Sequence, residues 1–220
     1  MNFDLQKALS KALIESLYMV GNSLIASILF GGIIGLLLYV TREKLFFKNK
    51  IINEVCGVIV NILRSIPFII LLVTLMPVTK AIVGTNIGPK AVVVPLTVTV
   101  IAFYARLSEA SFSEVDHGVL EAASACGAHP IKIIFGILLP EARVGLIHGI
   151  TVTTISLIGF SAMAGIVGGG GIGDLAVRYG YQRYETDVML LCVFVLVVIV
   201  QGIQLCGDTI AKKLNKRSNS

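Results

Sequence analysis

Gly168, Gly170 and Gly173 meet the G-x-G-x-x-G spacing that lets a backbone close on a nucleotide pyrophosphate. That chemistry needs a strand before the glycines and a helix after them, so that the phosphate meets a helix N-terminus. Here a long charge-free stretch precedes them, and Asp174 follows where a phosphate loop would carry Lys and then Ser or Thr. The glycines read as a turn, and the chain has no visible means of holding ATP. His117, His129 and His148 have no carboxylate or cysteine at ligand spacing, so no metal site is expected. Cys56, Cys126, Cys192 and Cys206 lack CxxC spacing, and three of the four lie in apolar stretches. They read as small packing residues rather than a disulfide framework. No Ser, His and Asp are arranged around a nucleophile elbow. The expectation is therefore no catalytic residue, no metal and no cofactor.

Arg64 stands apart, because an ionisable group inside an apolar stretch is costly unless it is paired or wet. Pro67, three residues on, removes a backbone donor and predicts a kink where irregular backbone lines a cavity. A second reading stands beside it: the segment before Pro67 lies at the membrane interface and Arg64 touches phosphate or water. Between 151 and 161 the hydroxyls of Thr151, Thr153, Thr154, Ser156 and Ser161 read mainly as back-bonding groups.

The elements that must position these residues follow from composition. The chain has 220 residues, 55% apolar and 14% charged, against about 45–50% and about 25% in soluble domains. A soluble enzyme is excluded, because too little charge is available to cover the globule. Charge-poor stretches run over 17–40, 55–76 (interrupted by Arg64), 91–105, 144–173 and 188–207. The first is too long for a signal h-region of about 7–15 residues. Crossing the hydrocarbon takes about 20 residues, so four stretches suffice. The third, 15 residues long, crosses only if Lys90 and Arg106 snorkel at opposite interfaces. The fold expected is all-α: a polytopic membrane protein of five transmembrane helices, one domain over 1–220 without internal repeats, in contact with the lipid bilayer.

Five spans put the termini on opposite sides, and basic residues choose the sides. Arg42, Lys44, Lys48, Lys50, Arg106, Lys132, Arg143, Lys212, Lys213, Lys216 and Arg217 flank one face; Lys7, Lys11, Lys80, Lys90, Arg178 and Arg183 flank the other. The richer set marks the cytoplasmic side, with the N-terminus outside and the C-terminus inside. These cations sit at span ends without interleaved aromatics, so nucleic-acid binding is not expected.

The longest polar segment, 108–143, lies between the third and fourth spans on the cytoplasmic side. Asp116 can cap a helix through Glu121 to Ala125, Gly127 can stop it, and His129 with Pro130 can restart the chain. Ile131, Ile133, Ile134, Ile137 and Leu138 then form an apolar face, which needs a protein partner or the membrane surface to cover it. Pro140 ends this helix or bends it into the fourth span.

Glu121-Ala122-Ala123, three residues, Gly127, nine residues, Ile137-x-Leu139-Pro140 resembles the EAA loop of type I ABC-importer permeases, with each anchor at the family spacing. The resemblance extends over about 13–211. It implies that Glu121, Ala122, Ala123, Gly127, Ile137, Leu139 and Pro140 form a coupling helix that docks on a separate ATPase, two copies of which serve a homodimer fed by an extracytoplasmic substrate-binding protein. Asn61 through Leu72, Val83-Gly84-Thr85, Val94 through Thr97, and Ser161-Ala162-Met163 are similar to the methionine-importing branch of that family. This implies methionine, D or L, as substrate, and Ser161 and Met163 as gate residues beside Arg64 and Pro67. Another amino acid or small substrate is the alternative within the class. A secondary transporter fits less well, because coupling carboxylates are absent from all five stretches.

Overall fold

The computed structural model describes residues 5–42 and 47–215. Lys44, Lys216 and Arg217, which entered the charge count, lie outside them. In hydrocarbon a backbone must satisfy its own polar groups, and helices dominate the described residues accordingly.

Helix α1 (Leu5–Val40) runs 36 residues with one π turn at Ser27–Gly31. It starts well before position 17, where its charge-poor stretch begins. Its polar first turns find partners: Lys11 pairs with Glu15 at 3.8 Å, while Glu15 Oε2 and Ser16 Oγ accept the amides of Gly171 and Ile172 at 2.8 and 2.9 Å. The second stretch is broken, as Pro67 predicted. Helices α2 (Lys50–Ser65) and α3 (Phe68–Thr74) meet at 104°, and α4 (Met76–Val83) follows. This broken segment still crosses. Asn53 Nδ2 donates to Leu38 O at the end of α1, whereas the Gly88 amide donates to Gly168 O at the far end of the bundle.

Helix α5 (Pro89–Ser113) has 25 residues, about 37 Å at 1.5 Å per residue. The 91–105 limits are thus corrected: the helix is long enough unaided, and Arg106 does not snorkel but bonds inside the bundle. The charge-poor stretch stopped at a cation whose partner, Glu109, is one helical turn further on. The same extension of helices beyond their stretches brings Glu15, Glu109 and Asp208 into membrane-length helices. Helix α6 (His117–Ala125) and helix α7 (Pro130–Val167, 38 residues) form the insert and fourth span. Pro140 does not end α7; a π turn at Ile134–Leu138 precedes it and the helix runs on. Helix α8 (Gly171–Leu175), with a π turn at Ala176–Tyr181, folds back before α9 (Thr186–Leu214).

Four apolar side-chain clusters hold these elements. The central one joins α1, α3, α5 and α7 through Met19, Phe68, Leu72, Leu96, Val100 and Leu157. At the glycine-turn end, Ala12, Ile172, Leu175, Val188 and Cys192 meet. At the insert end, Arg143 Nη2 donates to Leu214 O and satisfies the last turn of α9. The N-terminal part of α1 and the C-terminal part of α9 therefore occupy opposite ends of the bundle. Cys192 is buried and Cys56 half-buried, but Cys126 and Cys206 are exposed; all four are free.

Candidate functional site

The insert is built from local rules. Asp116 Oδ1 accepts the Gly118 amide at 2.8 Å and caps α6. Replacing it with Ala should destabilise this turn by about 1 kcal/mol, read as roughly fivefold faster amide exchange over 117–125 with α5 unchanged. The helix ends at Gly127, whose φ of +78° is open to glycine and strained for other residues. The amides of Gly127 and Ala128 donate to Ser124 O and Ala123 O, closing a Schellman turn. His129 Nδ1 accepts the Ile131 amide at 3.4 Å, and Pro130 opens the next helix.

Most of the apolar face is covered by the chain's own frame, which corrects the expectation that a protein partner or the membrane surface must cover it. Leu120, Ile133, Ile134 and Leu138 are buried against Tyr39, Val40, Phe112, Val115 and Ala142. Where the alternative is water, each such burial against this wall contributes roughly 2 kcal/mol. The opposite face remains open: Glu121 and Ala122 are exposed, Ala123 is half-buried, and Ile131 and Phe135 are 53% and 66% exposed. Of the apolar anchors, Ile137 and Leu139 are half-buried and Pro140 is exposed. Glu121, Ala122 and the bulkier Ile131 and Phe135 are thus exposed on a segment packed from behind.

Directly behind this wall sits a charge cluster that sequence reasoning missed. Glu109, 7% exposed in its side chain, receives Arg42 Nη2 at 2.7 Å and Arg106 Nη1 at 2.6 Å. Arg42 also donates to Ser113 Oγ, and Arg106 Nη2 reaches Gly57 O and Asn61 Oδ1 on α2 at 3.0 and 2.9 Å. Only Glu109 is buried, and removing it would leave two guanidinium groups, 45% and 24% exposed, without their carboxylate. The available signal was Arg106-x-x-Glu109, an i,i+3 pair on one helix face.

The other candidates gather at the bend. Pro67 O accepts the Ile70 and Leu71 amides and starts α3. Phe68 stacks on Phe160 with centroids 5.1 Å apart, so the bend lies level with the 161–163 segment. Ser161 is buried, with its hydroxyl donating to Ile158 O at 2.9 Å, whereas Met163 is 49% exposed. The two do not share a surface. Thr151, Thr153 and Thr154 donate to the carbonyls four residues back, in the back-bonding manner expected. Arg64 is exposed on α2 without an ion pair among the described residues.

At the opposite end the glycine run forms a turn, as expected, between α7 and α8. Arg178 pairs with Asp174 at 2.6 Å, and this hydrogen bond raises the guanidinium still further above its usual range. No group of three or more metal-ligating side chains occurs among the described residues.

Residues 27–220 match the family described as "binding-protein-dependent transport system inner membrane component". The chain belongs to this family. The permease is 44% identical over 203 residues to the "probable D-methionine transport system permease protein MetI" of Vibrio cholerae, covering 92% of this chain and 90% of that one. It is 46% identical over 181 residues to the "methionine import system permease protein MetP" of Bacillus subtilis, covering 82% of each. Among solved structures it is similar to a chain of the "MetNI methionine ABC transporter" in an inward-facing conformation, with a TM-score of 0.95, 42% identity, and coverage of 98% and 100%. A histidine-bound amino acid ABC transporter, at 18% identity and a TM-score of 0.78, shares the fold. The permease is thus an inner-membrane transport component and not an enzyme.

Proposed function

We propose that this chain is the permease of an ATP-driven methionine importer, working as a homodimer with two copies of a separate ATPase and fed by an extracytoplasmic binding protein. The observation that carries the reading is the insert: Glu121 and Ala122 exposed beside a half-buried Ala123, braced from behind, on a chain without a phosphate loop. Closure of two ATPases would draw the paired inserts together and open the route outward; hydrolysis would reopen it inward. The substrate assignment draws on the named relatives, which match nearly the full chain. Labelled-methionine uptake in proteoliposomes holding the permease, ATPase and binding protein tests it. Uptake that needs ATP and is competed by methionine supports the reading; transport of another amino acid alone, or uptake driven by an ion gradient, overturns it.

The insert end is assigned to the cytoplasm because the richer set of basic residues surrounds it. The N-terminus then lies outside and the C-terminus inside, and thiol labelling of cysteines placed at each end checks this. Glu121, Ala122, Ala123, Gly127, Ile137, Leu139 and Pro140 are assigned to ATPase coupling. Arg64 and Pro67 are assigned to the pathway wall, and Met163 to its gate, with Ser161 holding the helix behind it. Met163→Ala should change uptake or basal ATPase rate about threefold; identical kinetics for both would remove Met163 from the gate.

A further inference from the structure

Helix α2 is held unusually lightly. Val60 is its one buried residue, yet a polar stripe of Lys50, Glu54, Asn61 and Arg64 runs along it at helical spacing and is exposed. Beyond one apolar seam, where Val60, Cys56 and Leu63 meet Leu38, Ala102 and Ala105, its position depends on polar tethers. At its start Asn53 reaches α1; along its length Arg106 of α5 grips Gly57 O and Asn61 Oδ1. Arg106 can hold that geometry because its other nitrogen, Nη1, is fixed by Glu109, which also binds Arg42 at the end of α1. Tyr39, Phe112 and Val115, beside these charges in sequence, form the wall that supports the insert.

We propose that Glu109 is a positioning residue for transport: by gripping Arg42 and Arg106 together it keeps the polar stripe of α2 in register with the frame that carries the insert. This rests on the permease reading. One carboxylate, 7% exposed, serves two guanidinium groups, and among the described residues it is the only ion-pair partner that either arginine has. Arg106 Nε is buried without a partner among the described residues, which leaves the cluster one spare donor for a second arrangement. A purely structural brace would stabilise the fold without linking insert movement to α2. A positioning residue must also set how much substrate moves per ATP.

The test uses the assembled transporter with its ATPase in nanodiscs and proteoliposomes, comparing the unsubstituted chain with Glu109→Gln and Glu109→Asp. For Glu109→Gln we expect at least fivefold less methionine moved per ATP hydrolysed. Amide exchange over 54–65 should rise at least fivefold while 144–160 stays unchanged. Glu109→Asp should recover at least half of the transport per ATP. A normal ratio in Glu109→Gln, or exchange rising uniformly along the chain, overturns the proposal. If Glu109→Gln fails to assemble, Arg106→Lys, which keeps the charge but loses the forked grip, is judged by the same two readings. Failure of the methionine assignment would appear separately, as an unsubstituted transporter that hydrolyses ATP without moving methionine; the local exchange result would still decide the role of Glu109.

Discussion

Glu121→Arg should leave the permease folded and inserted while cutting methionine uptake by about 30-fold or more, the effect of losing roughly 2 kcal/mol at a docking anchor. Glu121 is exposed and makes no hydrogen bond or ion pair among the described residues that reversal would break, so stability should change by less than about 0.5 kcal/mol. The loss falls on the interface instead, where a long cation replaces an anion beside two alanines and brings both bulk and the wrong sign. Retention of the ATPase during purification and the melting temperature of the permease alone separate the two effects. Normal uptake by a stable Glu121→Arg chain would remove this face from the ATPase contact.

The largest effect on stability is expected at Gly173. A Cβ there would overlap the carbonyl and Cα of Ala162, and the facing Gly165 is equally close to the backbone of Gly173 and Asp174. Backbone cannot swing aside as a flexible side chain can, so Gly173→Val should cost about 3 kcal/mol through overpacking. Gly173→Ala should already be harmful. The readout is monodisperse yield from membranes together with melting temperature; a Gly173→Val chain with normal values would show that α7 and α8 do not pack this closely.

Most of the fold was legible because lipid reduces the choices. Charge scarcity exposed the spans, Pro67 marked the bend, and Asp116, Gly127 and Pro130 punctuated the insert. What escaped was anything fixed by partners distant in sequence. Residues 91–105 looked short because Arg106 was read as the end of a span, when its partners are Glu109 one turn along and Asn61 on another helix. Likewise, the apolar face of the insert looked orphaned because nothing local reveals that Tyr39 and Phe112 stand behind it. The EAA anchors were visible as a spacing, but the division between an exposed Glu121 and a buried Leu120 depends on where α1 and α5 end. Ser161 and Met163 were paired through the family resemblance, and helical geometry buries the first while leaving the second exposed.

Helix α7 gives this arrangement a mechanical character. From Pro130 to Val167 it is a single 38-residue rod, about 57 Å long, whose first turns belong to the insert and whose last turns meet the glycine turn at the other end. A push on those first turns has no loop in which to dissipate; the π turn at Ile134–Leu138 is the only departure from α-helical winding before Gly165. Movement imposed on one end of such a rod would reach the other as tilt or rotation rather than as bending, and the close backbone approach at Gly165 and Gly173 ties its far end to α8.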